Sequence, residues 1–185
     1  MKTPCRKSLL FLGVCVILVV IGCIMPAVKV AKSPVYDAST LGTVAVWRFR
    51  DGGKIENSGD IATRAVENAL MMNGFRLVAY SQVQNVLAVD VDLEDRTTID
   101  AGILTPSDLK KIKEEADVDA VITGSVSDCW CNLAYIPPCW FACSFQMIAT
   151  ATGEILVSAS ASDDAWSIEG AAEQVADKAV KMMME

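Results

Sequence analysis

From Thr43 to Arg50 apolar and polar positions alternate, with Ala45, Trp47 and Phe49 on one side and Val44, Val46, Arg48 and Arg50 on the other. This period of two predicts a strand, which Asp51-Gly52-Gly53 ends. The period then changes. Ile61, Ala65, Ala69 and Met72, joined by Ala62, Val66 and Leu70, recur at helical spacing, with Ser58 or Asp60 as a cap and Asn73-Gly74 as the stop. Phe75 to Tyr80 predicts a short strand, and Ser81 opens a second short helix carrying Val83, Val86 and Leu87. Asp90 to Gly102 is polar and acidic without a clear period, as a loop would be. Thr105-Pro106-Ser107-Asp108 is a helix start, with a Thr cap, Pro at the first helical position and an acid three residues past the cap. That helix runs to about Ala116. Val118 to Val126 is almost continuously apolar, as expected of a central strand buried on both faces. Residues 145–151 and 154–161 predict two strands joined at Thr152-Gly153. Ile168, Ala172, Val175, Ala179 and Val180 then form a closing amphipathic helix whose apolar face Met182-Met183-Met184 finishes. Strand, helix, strand, helix, helix, three strands, helix is the order of an α/β (α+β) domain with a small mixed sheet packed by helices.

Ahead of this domain, Lys2, Arg6 and Lys7 precede an uninterrupted apolar run from Leu9 to Met25, the layout of a secretory signal. The run ends in Val20-Ile21-Gly22-Cys23, which resembles the lipobox of bacterial lipoproteins, where the Cys is lipidated and becomes the new N-terminus. The expected organisation is a signal peptide over 1–22, lipidated Cys23 with a tether over 23–42, and the α/β domain over 43–185. Ile24 to Gly42 holds two Pro, two Lys and small residues without a sustained period, which suits a tether. Ile24 follows the Cys and is not Asp, which by resemblance to Gram-negative lipoproteins implies sorting to the periplasmic face of the outer membrane.

Composition narrows the chemistry. The chain of 185 residues has no His, so imidazole acid/base catalysis and the Ser-His-Asp and Cys-His nucleophiles are excluded. Removing the signal leaves 13 basic against 23 acidic residues, a net charge of -10, which argues against nucleic-acid partners and against a basic lipid-binding surface. Attachment would come from the acyl chains. The acidic run Asp90, Asp92, Glu94 and Asp95 lacks the Gly and the distant Glu of a calcium loop. Gly52-Gly53-Lys54 follows a strand but lacks the rest of a phosphate cradle, and Ser125 after Gly124 is not set in a nucleophile elbow. No catalytic residue, metal ligand set or cofactor site is expected.

Four cysteines remain after processing: Cys129, Cys131, Cys139 and Cys143. In an oxidising compartment an even count favours disulfides. If the strands flanking Asn132 to Pro138 pair antiparallel, 129 falls nearly opposite 143 and 131 lies near 139, and the shared parity puts all four on one face. Nested bonds Cys129–Cys143 and Cys131–Cys139 are expected, with a four-cysteine zinc or iron-sulfur site as the alternative. Its spacing, C-x-C then C-x3-C, is not that of the common zinc knuckles. The same segment carries Trp130, Leu133, Tyr135, Ile136, Trp140 and Phe141, either as a local core or as a contact for a partner or membrane. Tyr135, Ile136, Trp140 and Phe141 are the candidate contact residues.

Several phrases, in order, carry a resemblance to a known family. They are Val44-Ala45-Val46-Trp47-Arg48-Phe49, then Gly74-Phe75-Arg76-Leu77-Val78 followed by Ser81-Gln82-Val83-Gln84-Asn85-Val86-Leu87. Ala116-Asp117-Val118-Asp119-Ala120-Val121-Ile122-Thr123-Gly124-Ser125-Val126 and Thr152-Gly153-Glu154-Ile155-Leu156 complete the set. Over residues 43 to 160 the chain resembles the CsgG family, the curli production assembly/transport lipoproteins. The resemblance implies a lipid-anchored periplasmic domain that acts as a non-enzymatic assembly or transport subunit, as a homo-oligomer or with an envelope partner. Channel-forming members carry long membrane-spanning hairpins, and a spanning strand needs about 9 to 11 residues. Only 18 residues separate Val126 from Phe145, so the fold and anchor carry over without evident transmembrane hairpins. A more distant resemblance, to outer-membrane lipoproteins that activate peptidoglycan synthases, supplies a regulatory alternative.

Overall fold

In a computed structural model that describes residues 27–88 and 104–185, the strands are β1 (Val28–Lys32), β2 (Thr43–Val46), β3 (Arg76–Val78), β4 (Ala120–Cys131), β5 (Cys139–Ala149) and β6 (Ile155–Ala165). The helices are α1 (Ser58–Met72), α2 (Tyr80–Ala88), α3 (Pro106–Ala116) and α4 (Ile168–Met184). The signal, Cys23 and the acidic stretch Asp90–Gly102 lie outside the described residues. The strands form one sheet in the order β1-β6-β5-β4-β2-β3. β2 runs parallel to β3 and β4, and the other neighbours are antiparallel, so the sheet is mixed as the element order predicts.

Period two sorts the side chains to two faces. Val44, Val46, Ala120, Ile122, Phe141, Phe145, Met147 and Val157 meet α1 and α4 in the larger core. Ala45, Trp47 and Val121 meet α2 and α3 in a smaller one, through Val83, Leu87, Leu109 and Ile112. Burial of this apolar surface, at about 25 cal/mol per Å², is the main force holding the layers together. Of the three final methionines only Met183 reaches the core, because neighbouring helical positions point about 100° apart.

Helix starts follow two different chemistries. Thr105 makes the expected capping box with Asp108, accepting from the Asp108 amide at 3.2 Å while the Asp108 carboxylate accepts from the Thr105 amide at 2.7 Å. At α1 neither Ser58 nor Asp60 is the cap. Asn57 precedes the helix at φ 58 without a side-chain cap, and the Asp51 carboxylate from the loop before it accepts from the Gly59 amide at 2.7 Å. Asp60 pairs instead with Arg48, at 2.9 Å.

Three expectations are corrected. Residues 28–32, within the stretch expected to be a tether, pair with β6 from Val28↔Ala161 to Lys32↔Val157. Val28 and Val30 lean on the core while Lys29 faces away, an alternation too short to show in a five-residue segment. Phe49 does not share a face with Ala45 and Trp47. The Trp47 amide donates to Ile122 at 2.7 Å, but Arg50 rather than Phe49 makes the next bond, to Gly124 at 3.0 Å. One extra residue therefore turns Phe49 to the larger core, where its amide donates to the Thr63 hydroxyl at 3.0 Å. Finally, β4 and β5 extend well past Val126 and Phe145, because Cys129, Phe141 and Cys143 continue the buried face.

Candidate functional site

The extended β4–β5 hairpin brings the cysteines and aromatics to one end of the sheet. Cys131 and Cys139 stand directly opposite, with Cα atoms 4.1 Å apart, and form a disulfide. The other expected bond is absent: Cys129 and Cys143 are free, buried thiols. The cause is the register that Cys131 and Cys139 themselves set: counted back from that pair, Cys129 falls opposite Phe141, two positions short of Cys143, and beyond a register shift between Val126 and Asp128 Cys143 stands opposite Val126. The two thiols become diagonal neighbours, and a cross-strand disulfide needs direct opposition. With two of the four sulfurs bonded to each other, this arrangement offers no four-cysteine metal site. Among the described residues no three His, Cys, Asp or Glu are grouped for a metal.

The loop after β2 lies against this part of β4. The Lys54 amide donates to the Cys129 carbonyl at 2.9 Å, and the Cys129 thiol donates to the Gly52 carbonyl at 3.2 Å. Gly53 sits at φ +74, and a Cβ there would stand 2.3 Å from the Cys129 nitrogen. The glycine pair that ends the first predicted strand thus lets the loop lie against the irregular stretch of β4.

Beyond the disulfide, Asn132 to Pro138 closes the hairpin. The Asn132 amide donates to the Pro138 carbonyl at 2.7 Å, and the Asn132 side chain accepts from the Ala134 amide at 3.0 Å. In the chain-entropy account, a loop of this length closed by a disulfide gains about 2.5 kcal/mol. The candidate contact residues separate here. Tyr135 and Ile136 are exposed, at 58% and 80%, as is Leu133 at 93%. Trp140 is half-buried and pairs across the strands with Trp130, whose ring meets Tyr135 edge-on at 5.4 Å. Phe141 is no contact residue: it is fully buried in the larger core, since its parity matches Cys139 and Cys143.

The periodicity missed one member of this group. Trp166 follows Ala165, which pairs with Cys139, and precedes Ser167, whose hydroxyl accepts from the Gly170 amide at 3.0 Å to cap α4. An apolar residue before a cap commonly folds back on its helix, yet Trp166 is 75% exposed. From Cys129 to Cys143 there is no Asp, Glu, Lys or Arg, although 21% of the chain is charged. The site is therefore an aromatic, disulfide-closed tip free of acidic and basic side chains.

Other surfaces are open among the described residues. On the sheet face away from α1 and α4, Arg50, Thr123, Ser125, Ser144, Gln146 and Ser158 line a cleft of about 430 Å³. Between α1 and α4 a groove of about 610 Å³ is edged by the exposed Met71 and Met72.

The class defined by these features is a small mixed α/β domain with helices on both sheet faces and an apolar hairpin tip. Solved structures share that architecture. The PelC dodecamer from Paraburkholderia phytofirmans aligns with a TM-score of 0.60 at 13% identity, over 86% of this chain and 98% of that one. The LpoB C-terminal domain from Escherichia coli aligns with a TM-score of 0.50 at 22% identity, over 70% of this chain and 88% of that one. At these identities the likeness is one of fold. No family model and no curated protein matches the sequence.

Proposed function

We propose that the protein is a lipid-anchored subunit of the bacterial cell envelope, held at the periplasmic face of the outer membrane through Cys23, where several copies form a non-enzymatic assembly or transport accessory. The observation that carries this reading is the fold shared, over 98% of its length, with a protein that assembles as a dodecamer. The lipobox-like Val20-Ile21-Gly22-Cys23 supports the anchor, and the uncharged tip supports contact rather than catalysis.

β1 weighs against the regulatory alternative. An activator of a peptidoglycan synthase needs a long reach from the outer membrane, and the sequence pattern leaves 19 residues for it, from Ile24 to Gly42. With Ala27 already hydrogen-bonded to Ser162, only Ile24, Met25 and Pro26 separate the lipidated Cys from the folded domain. The native mass of the lipidated protein, extracted from membranes in detergent, tests the proposal. A discrete assembly of many copies is expected; a monomer at all concentrations would sink the subunit reading and return the regulator.

A further inference from the structure

We infer that the hairpin tip is the surface by which the domain rests on the bilayer that holds its lipid, with Leu133, Tyr135, Ile136 and Trp166 in the interfacial layer. The inference rests on the anchor reading above and adds an orientation to it.

Strand register carries the argument. β1 pairs antiparallel with β6, and Ala27 accepts a hydrogen bond from the Ser162 amide at 3.1 Å. Followed towards its N-terminus, β1 therefore points along β6 in the direction of Ala165, the residue opposite Cys139 of the disulfide. The lipid-bearing segment joins the domain from the end of the sheet that carries the tip. From Cys23 to Ala27 a fully extended chain spans at most about 14 Å. A leash this short holds that end of the domain at the membrane surface, and the opposite end, with the β5–β6 turn at Thr152-Gly153, faces away.

The chemistry of the tip fits the layer it would meet. Trp and Tyr concentrate at membrane interfaces, where an apolar ring with a polar atom is solvated at one end and buried at the other. Three of the four tryptophans, Trp130, Trp140 and Trp166, are gathered here, together with Tyr135 and two of the most exposed aliphatic side chains, Leu133 and Ile136. Loop backbone groups bond within the turn, and the disulfide fixes its shape, so the tip enters without unsatisfied amides at Asn132 or Ala134. The first carboxylates lie one, two and three rungs behind the disulfide: Asp164 opposite Trp140, Asp163 opposite Phe141, and Asp128 opposite Ala142. They set the depth, because a carboxylate in the hydrocarbon is costly. The loop goes in and the rung of Asp128 stays in water.

The test uses the full lipidated protein in vesicles of phosphatidylethanolamine and phosphatidylglycerol, with part of the lipid replaced by acyl-brominated phosphatidylcholine. Tryptophan emission and flotation are read together. Brominated lipid is expected to quench the emission of the floated wild type, and a Leu133→Asp, Ile136→Asp double variant, altered only at exposed positions, is expected to float equally while its quenching falls about twofold or more. A wild type that floats but is not quenched would overturn the inference and leave the anchor standing. A wild type that floats no better than Cys23→Ser would overturn the anchor reading, and the inference with it.

Discussion

At Cys143 burial pushes the thiol up to about 12, so the thiolate that reacts with alkylating and oxidising reagents is scarce at neutral pH. Cys129, fully buried beside it, is shielded by the loop that covers its thiol. Peptide mapping after alkylation of the native mature protein is expected to show one disulfide, Cys131–Cys139, and two thiols that react only on unfolding. Recovery of a Cys129–Cys143 bond would contradict the register described here. The sequence's parity placed all four cysteines near one another on a hairpin, but parity alone does not fix register, and once Cys131 faces Cys139 the position opposite Cys129 is Phe141. Gly124 is a second position where small size matters, since a Cβ would stand 2.5 Å from the Phe49 ring and 2.5 Å from the Ser144 carbonyl. Gly124→Ala is expected to cost about 2 kcal/mol in urea unfolding, because backbone on one side and a buried ring on the other leave no room to relax.

Among the elements, the strands and helices with strong periodicity were legible from the sequence, down to the capping box of α3. What escaped it depended on partners distant along the chain. β1 is a strand because β6 offers an open edge, and Phe49 changes face because Thr63 of α1 accepts the displaced amide into its hydrogen bonding. The junction of α3 with β2 is of the same kind. Asp119 accepts from Lys113 at 2.7 Å and from the amides of Thr43 and Gly42 at 2.8 and 2.9 Å. The Lys113 bond, followed by the two amides, holds the Asp119 carboxyl below its ordinary value, against the opposing effect of burial. A carboxyl with a lower value folded than unfolded adds stability above the unfolded value, and that stability is lost as pH falls through the folded one. Lys113 is raised, chiefly by Asp119, so its share is present below its ordinary value of 10.5 and is lost only at strongly alkaline pH. Asp119→Asn is therefore expected to lower stability by about 1 kcal/mol at pH 7 and to flatten the fall below about pH 4. Urea midpoints across pH 3 to 7 check both.

For the whole molecule, the sheet order leaves two edges, and they are managed differently. β3 is only three residues long, and β1 carries Lys29 and Lys32, whose charge discourages pairing with a stray strand. The mixed α/β class was readable from element order alone, whereas the spatial meeting of the tip, Trp166 and the start of β1 required the register. Because the first described residues are themselves a strand of the sheet, any pull on the N-terminal chain is delivered along the axis of β1. Tension in that direction loads the whole five-residue ladder from Val28 to Lys32 in shear, sharing the force among its hydrogen bonds rather than opening them one after another. A terminus joined through a loose loop would transmit no such load, so the β1 ladder gives the domain a mechanical grip on whatever holds its N-terminal end.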